Sequence, residues 1–347
     1  MMLLNRRIVG LGCWLVFASC LPGQGAHAQG APHAAPVGAA ATEATSRADK
    51  GITLFKAHRY AEAKAALSSA LATDPKDAEA HAYLGMALNN YDRDVDQAIV
   101  HLEEAVKLDP QRSRYHQWLG GVYGGKAGSV SILKAPSYAR KCREEMEAGV
   151  RLDPADVEAH QSLMQFYIAA PGFIGGSMAK ARDEAALITK LDPVQGLYAE
   201  AALANYEKDT AKVEALYRKA VVEAPAQGLP YNYLAYFLLK AKRTDEAVST
   251  FRLYVQAAPS DPNAHDSLAE GLLAQGQVEE ALAEYKRALG LDPYFSSSCL
   301  GLAQCYTRKA QGSQARDAYQ RYLVLVPKGR SADDARKKIE SLQKKQA

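Results

Sequence analysis

Four histidines, His81, His116, His160 and His265, are the residues of this sequence whose type and recurrence point first to chemistry. Imidazoles ligate zinc and exchange protons near neutral pH. Each of the four, however, falls at the same place in a repeated helical unit, four residues into its first helix. Equivalent positions in stacked helices lie roughly 10 Å apart, whereas a Zn–N bond is about 2.0–2.1 Å long. The ladder therefore reads as four half-buried packing histidines, and no metal is expected.

The other reactive residue types lead no further. Cys142, Cys299 and Cys305 lie in the body of the chain. Cys299 and Cys305 are six positions apart on one expected helix, so about 9 Å separates them along the axis and they cannot pair. Cys142 occupies a position that other units fill with alanine, and all three read as small core residues. Glu103-Glu104 and Glu279-Glu280 fall on exposed helix faces. There is no His-Glu-x-x-His, no Gly-x-Ser-x-Gly and no phosphate-binding Gly-x-x-x-x-Gly-Lys-Ser/Thr, since Gly120 to Lys126 is followed by Ala127; these are the patterns that zinc, acyl-transfer and phosphate chemistry need. No catalytic residue and no cofactor are expected, and the chain reads as a non-enzyme.

What positions these residues is a pattern recurring about every 34 residues. It is cleanest in Leu268, Ala269, Leu272, Ala281, Tyr285, Ala288 and Pro293, and it returns as Leu302, Ala303, Tyr306, Ala315, Tyr319, Tyr322 and Pro327. Leu268, Ala269 and Leu272 form one helical stripe, and Ala281, Tyr285 and Ala288 a second, with Gly276 in the turn between them. Small residues let the two backbones approach while the tyrosine fills the remaining volume. The proline ends the second helix, because the residue before it is driven to extended geometry. Alignment on Pro75, Pro110, Pro154, Pro193, Pro225, Pro259, Pro293 and Pro327 gives eight units, starting near 44, 78, 113, 157, 194, 228, 262 and 296.

This pattern resembles the tetratricopeptide repeat. The resemblance implies an all-α, right-handed superhelical solenoid of about eight helix pairs over 44–329, with a polar C-terminal capping helix over 330–347. Two pairs are lengthened, and enlarged loops are expected near 124–138 and 171–177. Their apolar residues, Val130, Ile132, Leu133, Phe173 and Ile174, are expected to pack into a small lobe. The resemblance also implies that first helices line a concave, peptide-binding groove. Its residues here are Asn89, Asn90, Gln117, Gln161, Gln165, Tyr198, Asn205, Tyr206, Asn232, Tyr236 and Lys240. Amides can both donate to and accept from a peptide backbone, and tyrosines offer rigid area with a polar tip.

The first 28 residues read as a secretory signal peptide. Arg6 and Arg7 precede an apolar run, Ile8 to Leu21, and Ala26-His27-Ala28 offers a small-x-small cleavage site. Lipidation at Cys20 is the alternative, and residues 29–43, rich in Ala, Pro and Gly, read as a disordered linker. Of 42 basic and 39 acidic residues only Arg6 and Arg7 fall in the leader, so the near-neutral balance gives no reason to expect nucleic acid as a partner. The expected function is a non-enzymatic protein- or peptide-binding scaffold in the bacterial periplasm, without integral membrane association unless Cys20 is lipidated. The alternatives are an outer-membrane lipoprotein assembly factor and a small-ligand-binding protein using the inserted lobe.

Overall fold

The computed structural model describes residues 47–344, so the expected leader and linker lie outside the described residues. Eight helix pairs follow in order: α1 (Arg47–Lys56) with α2 (Tyr60–Thr73), α3 (Ala78–Ala87) with α4 (Val95–Leu108), and α5 (Ser113–Ser129) with α6 (Ala135–Leu152). Then come α7 (Val157–Ala169) with α8 (Met178–Leu191), α9 (Pro193–Tyr206) with α10 (Thr210–Glu223), and α11 (Gly228–Lys240) with α12 (Thr244–Ala257). The last pairs are α13 (Pro262–Ala274) with α14 (Val278–Leu291) and α15 (Ser296–Arg308) with α16 (Gly312–Leu325), closed by α17 (Arg330–Lys344). There is no strand among the described residues. Each helix packs chiefly on its neighbours in sequence, and first helices of adjacent pairs also touch. That is the contact pattern of a solenoid.

Local chemistry sets the boundaries. The aspartates of the Asp-Pro steps, Asp74, Asp109, Asp153 and Asp292, leave the helix in extended geometry, and each carboxylate accepts the backbone N–H two residues on. Such Asx turns reverse the chain without an orphan donor. Asp77, Asp156 and Asp261 then cap the next helix by accepting its first amides. In the fifth unit one residue does both jobs: Asp192 caps a helix that starts directly at Pro193.

The turn inside every pair but the third uses a left-handed residue. Lys208, Lys242, Gly276 and Ala310 hold φ of 63°, 62°, 88° and 55° at equivalent positions, and His58 holds 59° in the first pair. Only glycine adopts this region freely; other residues are strained by about 1–2 kcal/mol. Ala310→Gly is therefore expected to stabilise the last pair by about 0.5–1 kcal/mol, after glycine's entropy cost is subtracted. Urea unfolding checks it, and a lower midpoint for the glycine variant would contradict the strain.

Alanines at the seams are fully buried, including Ala247, Ala281, Ala288 and Ala315, while Phe251, Tyr285 and Tyr319 fill the space beside them. Burial of a side chain such as Phe251 contributes about 1.5–3 kcal/mol. Unit length is where sequence and structure diverge. The second unit carries one extra residue, absorbed by a π-helical turn over Leu88–Asp92. In the third, most of the expected loop 124–138 is helix: α5 runs on to Ser129, α6 starts at Ala135, and only residues 130–134 connect them. The extra residues lengthen both helices because Ala127, Ala135 and Ala139 bury small faces against each other and the next pair. Segment 171–177 is a loop around a 3₁₀ turn, Gly172–Ile174. Ile174 is buried against α6, but Phe173 is 83% exposed and Leu133 89% exposed. The expected lobe does not form.

Candidate peptide-binding face

The recurring histidines prove to be struts between repeats. His116 sets Nδ1 2.6 Å from Glu145 Oε2 and Nε2 3.0 Å from the Pro110 carbonyl oxygen. His160 makes the same two contacts with Glu184 and Pro154, and His265 with Glu284 and Pro259. His81 reaches the Pro75 carbonyl and faces His101, with the two Nδ1 atoms 2.9 Å apart. In the sixth unit Tyr231 takes this place, donating its hydroxyl to the Pro225 carbonyl at 3.0 Å. In these five units the position ties the first helix to the carbonyl of the proline that ends the preceding pair.

Two acceptors on one ring favour the doubly protonated imidazole. The Glu145 hydrogen bond accordingly raises the His116 pKa, against the lowering effect of burial. A raised folded pKa supplies stability that is complete below about 6.5, the ordinary value, and is lost as pH rises through the folded value. Glu145→Gln is expected to cost about 1.5–3 kcal/mol at pH 5.5, the range for hydrogen bonds to charged groups, and much less at pH 8. Equal costs at both pH values would show that His116 stays neutral.

Cys142, Cys299 and Cys305 are buried thiols. Burial pushes Cys142 up to about 12 and Cys305 to about 11, so neither forms the thiolate that reactivity requires.

The expected groove residues divide into two groups. One group is consumed by bonds between repeats. Gln117 donates to Asp156 at 2.7 Å and to Ser113 at 2.8 Å, and Gln161 donates to Gln195 at 2.8 Å. Tyr236 donates to Glu270 at 2.9 Å and its hydroxyl oxygen lies 3.2 Å from that of Ser267, while Asn232 accepts from Ser267 at 3.4 Å. Asn89 donates to Asn90 inside the π-helical turn, and Asn90 bonds Tyr60. Tyr198 is buried against Tyr233, ring centroids 4.5 Å apart, with its hydroxyl unpartnered. These are rungs of a ladder along the first helices.

Gln165, Asn205, Tyr206 and Lys240 form the second group. They are exposed, Tyr206 by 51%, and their side chains make no hydrogen bond or ion pair among the described residues. They sit one helical turn beyond the ladder on α7 and α11 and two turns beyond it on α9, and positions three to four apart share a helix face. What sequence reasoning missed is the part of Ser267, Ser297 and Ser298. Ser297 and Ser298 donate to Asp266 at 3.0 and 2.5 Å, on a carboxylate that burial pushes up to about 6. Their small volume signalled packing only, and no motif marks a serine that bonds across a seam.

The lengthened third and fourth pairs do not build a ligand chamber. Gly124, Ala127, Cys142, Phe166 and Ala170 line an apolar cavity of about 10 Å³, room for one water at most.

Three stretches match tetratricopeptide repeat families: residues 54–120 and 272–339 match one, and 211–262 match another. Together they span more than half of the chain, and the unmatched interval between 121 and 210 holds the two lengthened pairs. No curated protein matches the sequence. Among solved structures, yeast Tom70 superposes with a TM-score of 0.62 at 16% identity, over 86% of this chain. The match spans 64% of the Tom70 chain, and the likeness concerns the fold. The Cut9–Hcn1 hetero-tetramer of the APC/C aligns with a TM-score of 0.44 at 13% identity, over 85% of this chain and 55% of that one. The period, the stack of seventeen α-helices among the described residues and the matched stretches agree, and the chain belongs to the tetratricopeptide repeat family.

Proposed function

We propose that this protein is a non-enzymatic scaffold that holds an extended segment of a partner protein across the first helices of its fourth to sixth pairs. Tetratricopeptide repeats are in general protein-interaction modules. The observation that carries the reading is the division of groove residues. Ladder amides and hydroxyls, the buried Tyr198 hydroxyl apart, are already bonded within the stack, whereas Gln165, Asn205, Tyr206 and Lys240 offer free donors, acceptors and an aromatic face. A peptide backbone needs alternating donors and acceptors, and amides provide both.

The same proposal places the scaffold in the bacterial periplasm. Its support is the leader pattern of Arg6, Arg7, the apolar run to Leu21 and Ala26-His27-Ala28. Cell fractionation and the mass of the mature chain test this. A chain that keeps residues 1–28 in the cytoplasm would overturn it, and one acylated at Cys20 would move it to a membrane surface.

The binding face is tested by affinity capture from periplasmic extract, with wild type against Asn205→Ala/Tyr206→Ala/Lys240→Ala. Tyr236 is left intact because it supports the ladder through Glu270 and Ser267. A partner held by wild type and lost by the variant, at equal thermal stability, is the expected result. Equal capture would move the binding surface away from these helices.

A further inference from the structure

The turn between α1 and α2 lies against the far end of the stack. His58 Nδ1 is 2.9 Å from Asp292 Oδ2, a contact across 234 positions of sequence. Next to it the Arg59 guanidinium sits over the Tyr294 ring, 5.7 Å from the centroid. Tyr60 lies within electrostatic reach of Asp292, and Arg93, after the π-helical turn, within reach of Tyr322. The first two pairs therefore meet the seventh and eighth, and the superhelix closes on itself.

This closing seam differs in kind from the others. Adjacent pairs are joined by runs of buried apolar residues, whereas the named contacts of the closing seam are polar. The His58 and Asp292 side chains stay 36% and 19% exposed. Part-exposed polar pairs contribute little, and charges such as those of Asp292 and Arg59 are screened by salt. In a solenoid, where each repeat touches its neighbours, small changes of angle at successive seams add up at the ends. Opening is least opposed here.

We propose that His58–Asp292 and Arg59–Tyr294 form a latch that closes the superhelix and restricts access to its concave surface. Two features pre-set it. Glu62 grips the Arg59 guanidinium through both Nε and Nη2, at 2.7 and 2.5 Å, which fixes the plane laid over Tyr294. His58 is held in the left-handed region at φ 59° by the turn it occupies. A partner chain that prefers the open form shifts the equilibrium by its differential affinity for the two states. The proposal rests on the concave face being the binding surface, but it does not depend on which partner binds.

The test uses the full-length chain with Cys13→Ser and Cys20→Ser, so that the remaining native thiols are the buried Cys142, Cys299 and Cys305. Gln165→Cys places one reactive thiol on the concave face. Its rate of modification is measured with N-ethylmaleimide and with a maleimide carried on a polyethylene-glycol chain. His58→Gly removes the latch while suiting the left-handed backbone. Asp292→Asn removes its charge but keeps the oxygen that accepts the Tyr294 N–H at 2.8 Å. Both variants are expected to speed the bulky reagent several-fold and leave the small one unchanged, and high salt should speed the bulky reagent on the latched protein. Equal bulky-reagent rates with and without the latch would overturn it. These rates need no partner, so a failed capture experiment leaves the latch standing, and unchanged rates leave the binding face standing.

Discussion

Replacing Gly176 with alanine is expected to destabilise the protein by about 3 kcal/mol or more, in the class of substitutions that force a clash into a fixed backbone. A Cβ at this position would sit 1.6 Å from the Ala170 carbonyl oxygen and 2.5 Å from its carbon. The obstacle is main chain, so no rotamer change relieves it. Ala170 cannot move away easily either, since its N–H is bonded to Phe166 O, and Gly176 N–H returns to Pro171 O at 3.1 Å. The same turn sends Ser177 N–H back to Tyr167 O at 2.9 Å, tying the end of α7 to the start of α8. Beneath it Ile174 is buried, and the Arg143 Nη1 group donates to the Ile174 carbonyl at 3.2 Å. Losing the turn therefore loosens the seam with α6 as well as the pair. Gly172→Ala is the control, because a Cβ there meets nothing within 4 Å. Urea unfolding of both variants checks the claim, and similar midpoints for Gly176→Ala and Gly172→Ala would sink it.

That turn also marks where the sequence stopped being legible. The eight pairs could be read from period alone, because each signal was local: an apolar stripe, a small residue at the seam, a proline after the second helix. Length changes carry no such signal. Fifteen residues rich in glycine, Gly124 to Tyr138, suggested a loop, yet most of them extend α5 and α6. Glycine's low helix propensity, roughly 1 kcal/mol per residue, is outweighed where a neighbouring helix needs a thin face. Gly124 and Ala127 meet Ala139 and Cys142 across such a face. The exposed Leu133 and Phe173 show the reverse error, since apolar composition alone does not place a side chain in a core.

The site was legible to a similar depth. Placing Gln117, Gln161, Asn232 and Tyr236 on first helices identified the right helices but could not say whether each amide or hydroxyl was free. That depends on what the adjacent repeat offers at the same height, a relation between residues about 35 positions apart. Asp156, Gln195 and Ser267 supply those partners. The exposed residues one or two turns further on remain open, which transfers the binding argument to Gln165, Asn205, Tyr206 and Lys240.

Asp266 gives the second large effect, and its sign is opposite to that of an ordinary core substitution. The carboxylate is 8% exposed on a first helix and receives the Ser297 and Ser298 hydroxyls. Burial pushes it from 3.8 up to about 6; the serines oppose that shift and the Glu270 charge adds to it. Because the folded value lies above the unfolded one, the protonated form contributes stability that is complete below about pH 4 and is lost as pH rises through 6. At roughly 1.4 kcal/mol per unit, the carboxylate costs about 2–3 kcal/mol at pH 7.5. Asp266→Asn keeps the shape, stays neutral, and can meet the two serines with an acceptor and a donor. It is expected to unfold at higher urea than wild type at pH 7.5, by about 2–3 kcal/mol, with the gap closing near pH 4. Groups distant from this carboxylate titrate alike in both chains, so the difference reports on Asp266 together with the Glu270 charge beside it. A gap that does not change with pH would mean that Asp266 is not the group titrating. If the gain appears, the wild-type carboxylate costs stability at neutral pH, the cost of ionising a group that the next pair has buried.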